Sequence, residues 1–128
     1  MSDFNSQKNR AVWFDIPVAD LDRASNFYSK VLAIEVTKET FNDFDFSLLD
    51  HEDGNGGCLI PGPEEISSTG GILLYLNVNG RIRDAASQVT KHGGKVLMEI
   101  HSLGPHGFRV LVLDSEGNRV ALHSKTDA

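Results

Sequence analysis

The sequence predicts an α+β domain of two tandem βαβββ modules whose strands form a curved mixed sheet around a cleft. Three observations predict it. The hydrophobic period changes from two to about 3.6 and back at matching places in each half of the 128-residue chain. A shift of 60 positions carries Trp13 onto Leu73, Val18 onto Val78 and Ala33-Ile34 onto Gly93-Gly94. The polar turn Asp50-His-Glu-Asp-Gly-Asn recurs, one residue shorter, as Asp114-Ser-Glu-Gly-Asn, after which Gly57-Cys-Leu-Ile aligns with Val120-Ala-Leu-His.

Taken in order, Val12, Phe14, Ile16 and Val18 alternate with Trp13, Asp15 and Pro17, the pattern of a strand with one face on a core. Asp20 is placed to cap the helix that follows, whose apolar stripe is Leu21, Ala24, Phe27, Tyr28, Val31 and Leu32. Three strands are predicted next, over residues 34–38, 43–49 and 57–60, with the turn 50–56 before the last. Pro61-Gly-Pro opens a Ser/Thr/Gly-rich linker. In the second module Leu74, Leu76 and Val78 alternate with Leu73, Tyr75 and Asn77. Ile82, Ala85, Ala86 and Val89 mark a helix closed by Gly93-Gly94, and strands over 95–101, 108–113 and 119–124 finish the copy. This gives a polar tail at 1–10 and one domain over 11–126, with module one at 11–60, linker at 61–70 and module two at 71–125.

Twelve basic residues against eighteen acidic ones leave a net charge of −6, and no Lys/Arg cluster offers nucleic acid a basic face. The lone Cys58 supports neither an internal disulfide nor a thiolate cage and fits a reducing compartment. No apolar run approaches the ~18 residues that span a bilayer, and the polar N-terminus does not read as a signal peptide. A cytoplasmic protein acting on neither nucleic acid nor membrane is expected.

Ile16-Pro-Val-Ala-Asp-Leu-Asp-Arg-Ala, Phe27-Tyr-Ser-Lys-Val-Leu and Asp114-Ser-Glu-Gly-Asn-Arg-Val, on a duplicated unit, resemble the vicinal oxygen chelate superfamily, which includes glyoxalases, bleomycin-resistance proteins and extradiol dioxygenases. The resemblance covers residues 11–125. It implies a groove lined by both modules, a homodimer, and metal ligands on the first and last strands of each unit. Those ligand positions fall at Trp13, Cys58, Leu73 and Ala121. Trp, Leu and Ala offer no donor to a hard or borderline cation, and one thiol is not a metal site. No metal cofactor is therefore expected at these positions.

Strand parity adds Asp15, Tyr75, Asn77, Arg119 and His123 to the same groove face. Asp15, Tyr75 and His123 are candidate acid–base groups. Trp13 is either a plug where a metal would sit or a platform for a flat ligand. Arg119 is a candidate for anion contact. Glu99, His101 and His123 are the candidates for a relocated divalent-metal site, and the loop Leu103–Gly107 for a gate. The leading expectation is a small organic ligand bound in the groove without the superfamily's metal. The alternative is a lyase, isomerase or dioxygenase-related enzyme with a relocated metal or metal-free acid–base catalysis.

Overall fold

The computed structural model describes residues 10–128; most of the predicted polar tail lies outside the described residues. The order is β1 (Trp13–Val18), α1 (Leu21–Val31), β2 (Val36–Phe41), β3 (Phe44–Leu49), β4 (Gly56–Pro61), β5 (Leu74–Asn77), α2 (Ile82–Lys91), β6 (Lys95–Ser102), β7 (Phe108–Leu113) and β8 (Arg119–Ser124). Hydrogen bonding divides the strands into two four-stranded mixed sheets, β1-β4-β3-β2 and β5-β8-β7-β6, each with one parallel pair. This is the βαβββ unit twice. The linker contains a single 3-10 turn, Pro63–Glu65.

The predicted elements are all present, and one boundary shifts instructively. Strand β2 runs to Phe41 rather than ending near residue 38, and pairs with β3 up to Phe41↔Phe44. The connection is the two-residue turn Asn42-Asp43, both at positive φ (50° and 63°), the geometry of a twisted hairpin. β2 is a sheet edge exposed from Thr37 onward, so no hydrophobic period marks it.

Asp20 caps α1 as its position predicts, accepting from the Arg23 backbone N–H at 3.0 Å. The inward face of α1 (Ala24, Phe27, Tyr28, Val31) and that of α2 (Ile82, Ala85, Val89) share one buried cluster with Ile16, Val18, Leu59, Leu76, Val110, Val112 and Leu122. Burying a large apolar side chain contributes about 1.5–3 kcal/mol, so this common core is what joins the modules. Gly94 shows how close they come. A Cβ there would stand 2.8 Å from Phe27 Cε2 and 2.5 Å from the Leu113 carbonyl oxygen, so only glycine fits. Among the described residues no helix is long and apolar enough to cross a membrane.

Polar contacts at the turn 114–118 lock the modules. Buried Asp114 accepts from Tyr28 Oη at 2.6 Å, from the backbone N–H groups of Glu116 and Asn118 at 2.8 and 2.9 Å, and from Asn118 Nδ2 at 3.0 Å. Burial first, then the charge of Asp114, hold the Tyr28 phenol well above its ordinary range, so it stays a donor. Asn118 Nδ2 also donates to the Pro17 carbonyl at 2.7 Å. Glu116 reaches the start of α1, accepting from the backbone N–H groups of Ala19 and Asp20 at 3.0 and 2.8 Å and from Arg23 Nε and Nη2 at 2.7 and 2.8 Å.

Burial alone would raise the Glu116 carboxyl, but hydrogen bonds from Arg23, Asp20, Ser115 and Ala19 outweigh it and hold the group at about 2, against an ordinary 4.5. A depressed carboxyl contributes stability that is fully present above its unfolded value and lost as pH falls through its folded one. Acid unfolding should therefore remove this contribution between pH 4.5 and 2. Discounted for solvent around half-exposed Arg23, it amounts to on the order of 1–2 kcal/mol. Glu116→Gln is expected to lower stability by that amount at pH 7 and to flatten the acid limb. Denaturant midpoints that run parallel to wild type from pH 7 to 3 would refute it.

Candidate functional site

On module one, the register pairs Asp15 with Cys58 and Cys58 with Leu48, placing these side chains on the face away from the helices. Cys58 Sγ donates to Asp15 Oδ1 at 3.2 Å, and the thiol is also hydrogen-bonded by Trp13. Trp13, Asp15 and Cys58 thus form one contact group. The Trp13 ring also meets His51 edge-on at 6.3 Å. Burial, then the hydrogen bond to Asp15 and its charge, push the Cys58 thiol up to about 12.

On module two, the cross-strand rows place Tyr75 beside Ala121 and Leu111, and Asn77 beside His123, Arg109 and His101. Arg109 is the centre of this face. Its Nε–H donates to His101 Nε2 at 2.9 Å and its Nη1–H to Tyr75 Oη at 2.5 Å. The guanidinium carbon stands 6.0 Å from the Tyr75 ring centre, and the Tyr75 and His123 rings are 6.4 Å apart. Sequence reasoning missed Arg109, although the alternation of Val110 and Val112 with Arg109 and Leu111 marks it as facing the groove.

The other predicted residues separate. No contact joins Asp15 to Tyr75 or His123 among the described residues, so the acid–base trio is not assembled. Asn77 Oδ1 accepts from the Asn79 N–H at 2.8 Å, a local turn. Leu73 is half-buried and Ala121 fully buried. Arg119 Nη2 donates to the Gly71 carbonyl at 3.3 Å, while its buried Nε has no partner among the described residues. A hollow of about 200 Å³ beside it includes Asp15.

The metal fit fails at both proposed places. Of Trp13, Cys58, Leu73 and Ala121, only Cys58 has a donor atom, and that thiol is neutral and bound to Asp15. In the relocated set, His101 Nδ1–H donates to the Glu99 carbonyl at 2.8 Å while its Nε2 accepts from Arg109. The His123 Nε2–H donates to the His106 carbonyl at 2.7 Å. Bulges in β6 between Val96 and His101 break the i, i+2 geometry that would align Glu99 with His101. Among the described residues no group of three or more His, Cys, Asp or Glu is placed to hold a metal. The same His123 bond tethers the Leu103–Gly107 loop, which closes through Leu103 N–H to the Gly107 carbonyl at 2.7 Å and packs Gly107 against Ser124, so the loop is anchored rather than gate-like.

A larger cavity is also lined by both modules. It holds about 370 Å³ and has an apolar floor of Phe14, Leu32, Ile34 and Leu49, a rim formed by the turn from Asp50 to Gly56, and Tyr75 and Asn77 from β5. Its size lies in the small-molecule range. His51 connects it to Trp13, and Tyr75 connects it to Arg109.

The sequence model for the glyoxalase/bleomycin resistance protein/dioxygenase superfamily matches residues 10–122. A glyoxylase-like domain-containing protein from Didymella fabae is 30% identical over 115 residues, spanning 84% of this chain and 88% of that protein. The structure of a hypothetical protein from S. aureus superposes with a TM-score of 0.71 at 18% identity, covering 91% of this chain and 94% of that one. A glyoxalase/bleomycin resistance protein/dioxygenase family enzyme from Burkholderia phytofirmans gives 0.69 at 15% identity, covering 88% and 95%.

With its thiol near 12, Cys58 should resist alkylation: at pH 8 its thiolate fraction is on the order of a thousandfold below that of an ordinary cysteine. Iodoacetamide labelling followed by mass spectrometry reads this directly, since the chain has one cysteine. Labelling of the folded protein at the rate of a free thiol would contradict the Asp15–Cys58 contact.

Proposed function

This chain belongs to the glyoxalase/bleomycin resistance protein/dioxygenase superfamily, and from that premise we propose that it binds a small organic ligand between its two modules without the divalent metal that the superfamily's enzymes use. The observation that carries the reading is the chemistry of the four ligand positions. Three lack a donor, and the fourth is a neutral thiol hydrogen-bonded to Asp15. What stands in module one instead is the Trp13 ring, edge-on to His51, and His51 lines a cavity of about 370 Å³ with an apolar floor.

The polar groups of the cleft suit binding more than turnover. Tyr75 Oη accepts from Arg109, and the His123 Nε2–H is engaged by a carbonyl, so each has a fixed structural partner. A planar, mostly apolar ligand would lie against the aromatic wall and exclude water from the cavity floor, where each buried CH₂ contributes about 0.8 kcal/mol.

The test uses the neutral probe 2-naphthamide and isothermal titration. Binding is expected to be unchanged by prior treatment with EDTA, and Trp13→Ala is expected to weaken it about tenfold with the melting temperature retained. Loss of binding on chelation, restored by adding zinc or nickel, would overturn the metal-free reading. Binding insensitive to Trp13→Ala would remove the aromatic platform.

A further inference from the structure

Arg109 is a half-buried cation without an anion. Among the described residues no salt bridge includes it, although the chain carries a net charge of −6. Both of its partners are neutral. His101 donates through Nδ1 to a carbonyl, which leaves Nε2 as the acceptor for Arg109 Nε–H. Tyr75 Oη accepts from Nη1. These bonds fix the guanidinium plane while its Nη2 amino group keeps no partner among the described residues. A charge oriented by neutral groups and left uncompensated is what an incoming carboxylate requires: it meets a planar fork with the orientation already set.

Arg109 lies outside the lining of the inter-module cavity and is joined to it through Tyr75. The Tyr75 hydroxyl holds Arg109, and the residue itself lines the 370 Å³ space whose floor is apolar. Glu35 and Glu39 line the neighbouring hollow on module one, and Asp50 and Glu52 line both that hollow and the module-one rim of the inter-module cavity, so an anion is repelled from that end. A negatively charged head is therefore favoured at the module-two end and an uncharged body at the other.

We infer that the ligand is an organic carboxylate, its carboxyl bound by Arg109 as positioned by Tyr75 and His101 and its apolar body in the inter-module cavity. The inference rests on the reading of that cavity as a ligand site and adds the chemical class. It is tested by isothermal titration of 2-naphthoate and its neutral isostere 2-naphthamide into wild type, Arg109→Met and Tyr75→Phe, with thermal melting as the check on folding. Wild type is expected to bind the carboxylate at least tenfold more tightly than the amide. Arg109→Met should bind both alike, at the level of the amide. Tyr75→Phe, which keeps the ring and loosens the guanidinium, should retain part of the preference and carries the test if Arg109→Met melts unfolded. Equal wild-type affinities, or a carboxylate preference that survives either substitution in full, overturn the carboxylate site while leaving the cavity reading intact. Binding of neither probe overturns both.

Discussion

The buried carboxylate of Asp114 is the constraint on which the arrangement of the two modules depends. A charge in that position is costly to desolvate, and it is tolerated because Tyr28, Asn118 and two backbone N–H groups surround it. Those same bonds shape the turn, and the turn then aims Glu116 at the first turn of α1 and Asn118 at the end of β1. One five-residue segment of module two thus fixes a helix, a strand end and a buried tyrosine of module one. The shared apolar core supplies most of the adhesion, but it is non-directional. The turn decides the angle.

The duplication is not symmetric in this respect. In module one the equivalent asparagine bonds within its own half. Asn55 Nδ2 donates to the Ala11 carbonyl, whereas Asn118 crosses to the other module. Asp50 is exposed where Asp114 is buried. Space remains between residues 50–56 and Tyr75–Asn77, floored by the apolar side chains Phe14, Leu32, Ile34 and Leu49.

What the sequence made legible is what is local or periodic. The repeat, both helices, the Asp20 cap and the ladders at 108–113 and 119–124 all follow from spacing within a few residues. The bounds of strand β2 were misplaced by two or three residues because an exposed edge has no apolar period, yet Asn42-Asp43 was a usable turn signal. The site is harder to read because its contacts are remote. Glu116 and Arg23 are 93 residues apart, and Tyr75 and Arg109 are 34 apart. Parity put Trp13, Asp15 and Cys58 on one face, but nothing in parity says that Asp15 would bind the thiol rather than face Tyr75 and His123. Likewise the spacing of Glu99 and His101 suggested a metal pair, and only the bulged register of β6 shows that the imidazole serves Arg109 instead.

That exchange of roles has an electrostatic logic. A divalent cation in such a groove would supply positive charge with open coordination positions, and any anionic oxygen could be recognised by it directly. Where the ligand positions are Trp, Leu, Ala and a neutral thiol, recognition of an anion must come from a side chain that is charged at all working pH values and whose geometry is fixed before the ligand arrives. Arg satisfies the first condition and Lys does not match it in planarity. The second is met by Tyr75 and His101, which hold the guanidinium. Phe46 and Arg109 occupy corresponding ladder places in the two modules, each two residues before the partner of the last-strand position (Leu48 opposite Cys58, Leu111 opposite Ala121). One copy therefore presents a hydrophobic ring and the other a braced cation. A duplicated scaffold can diverge in this way without altering its core, because the groove-facing residues alternate with those that pack under the helices.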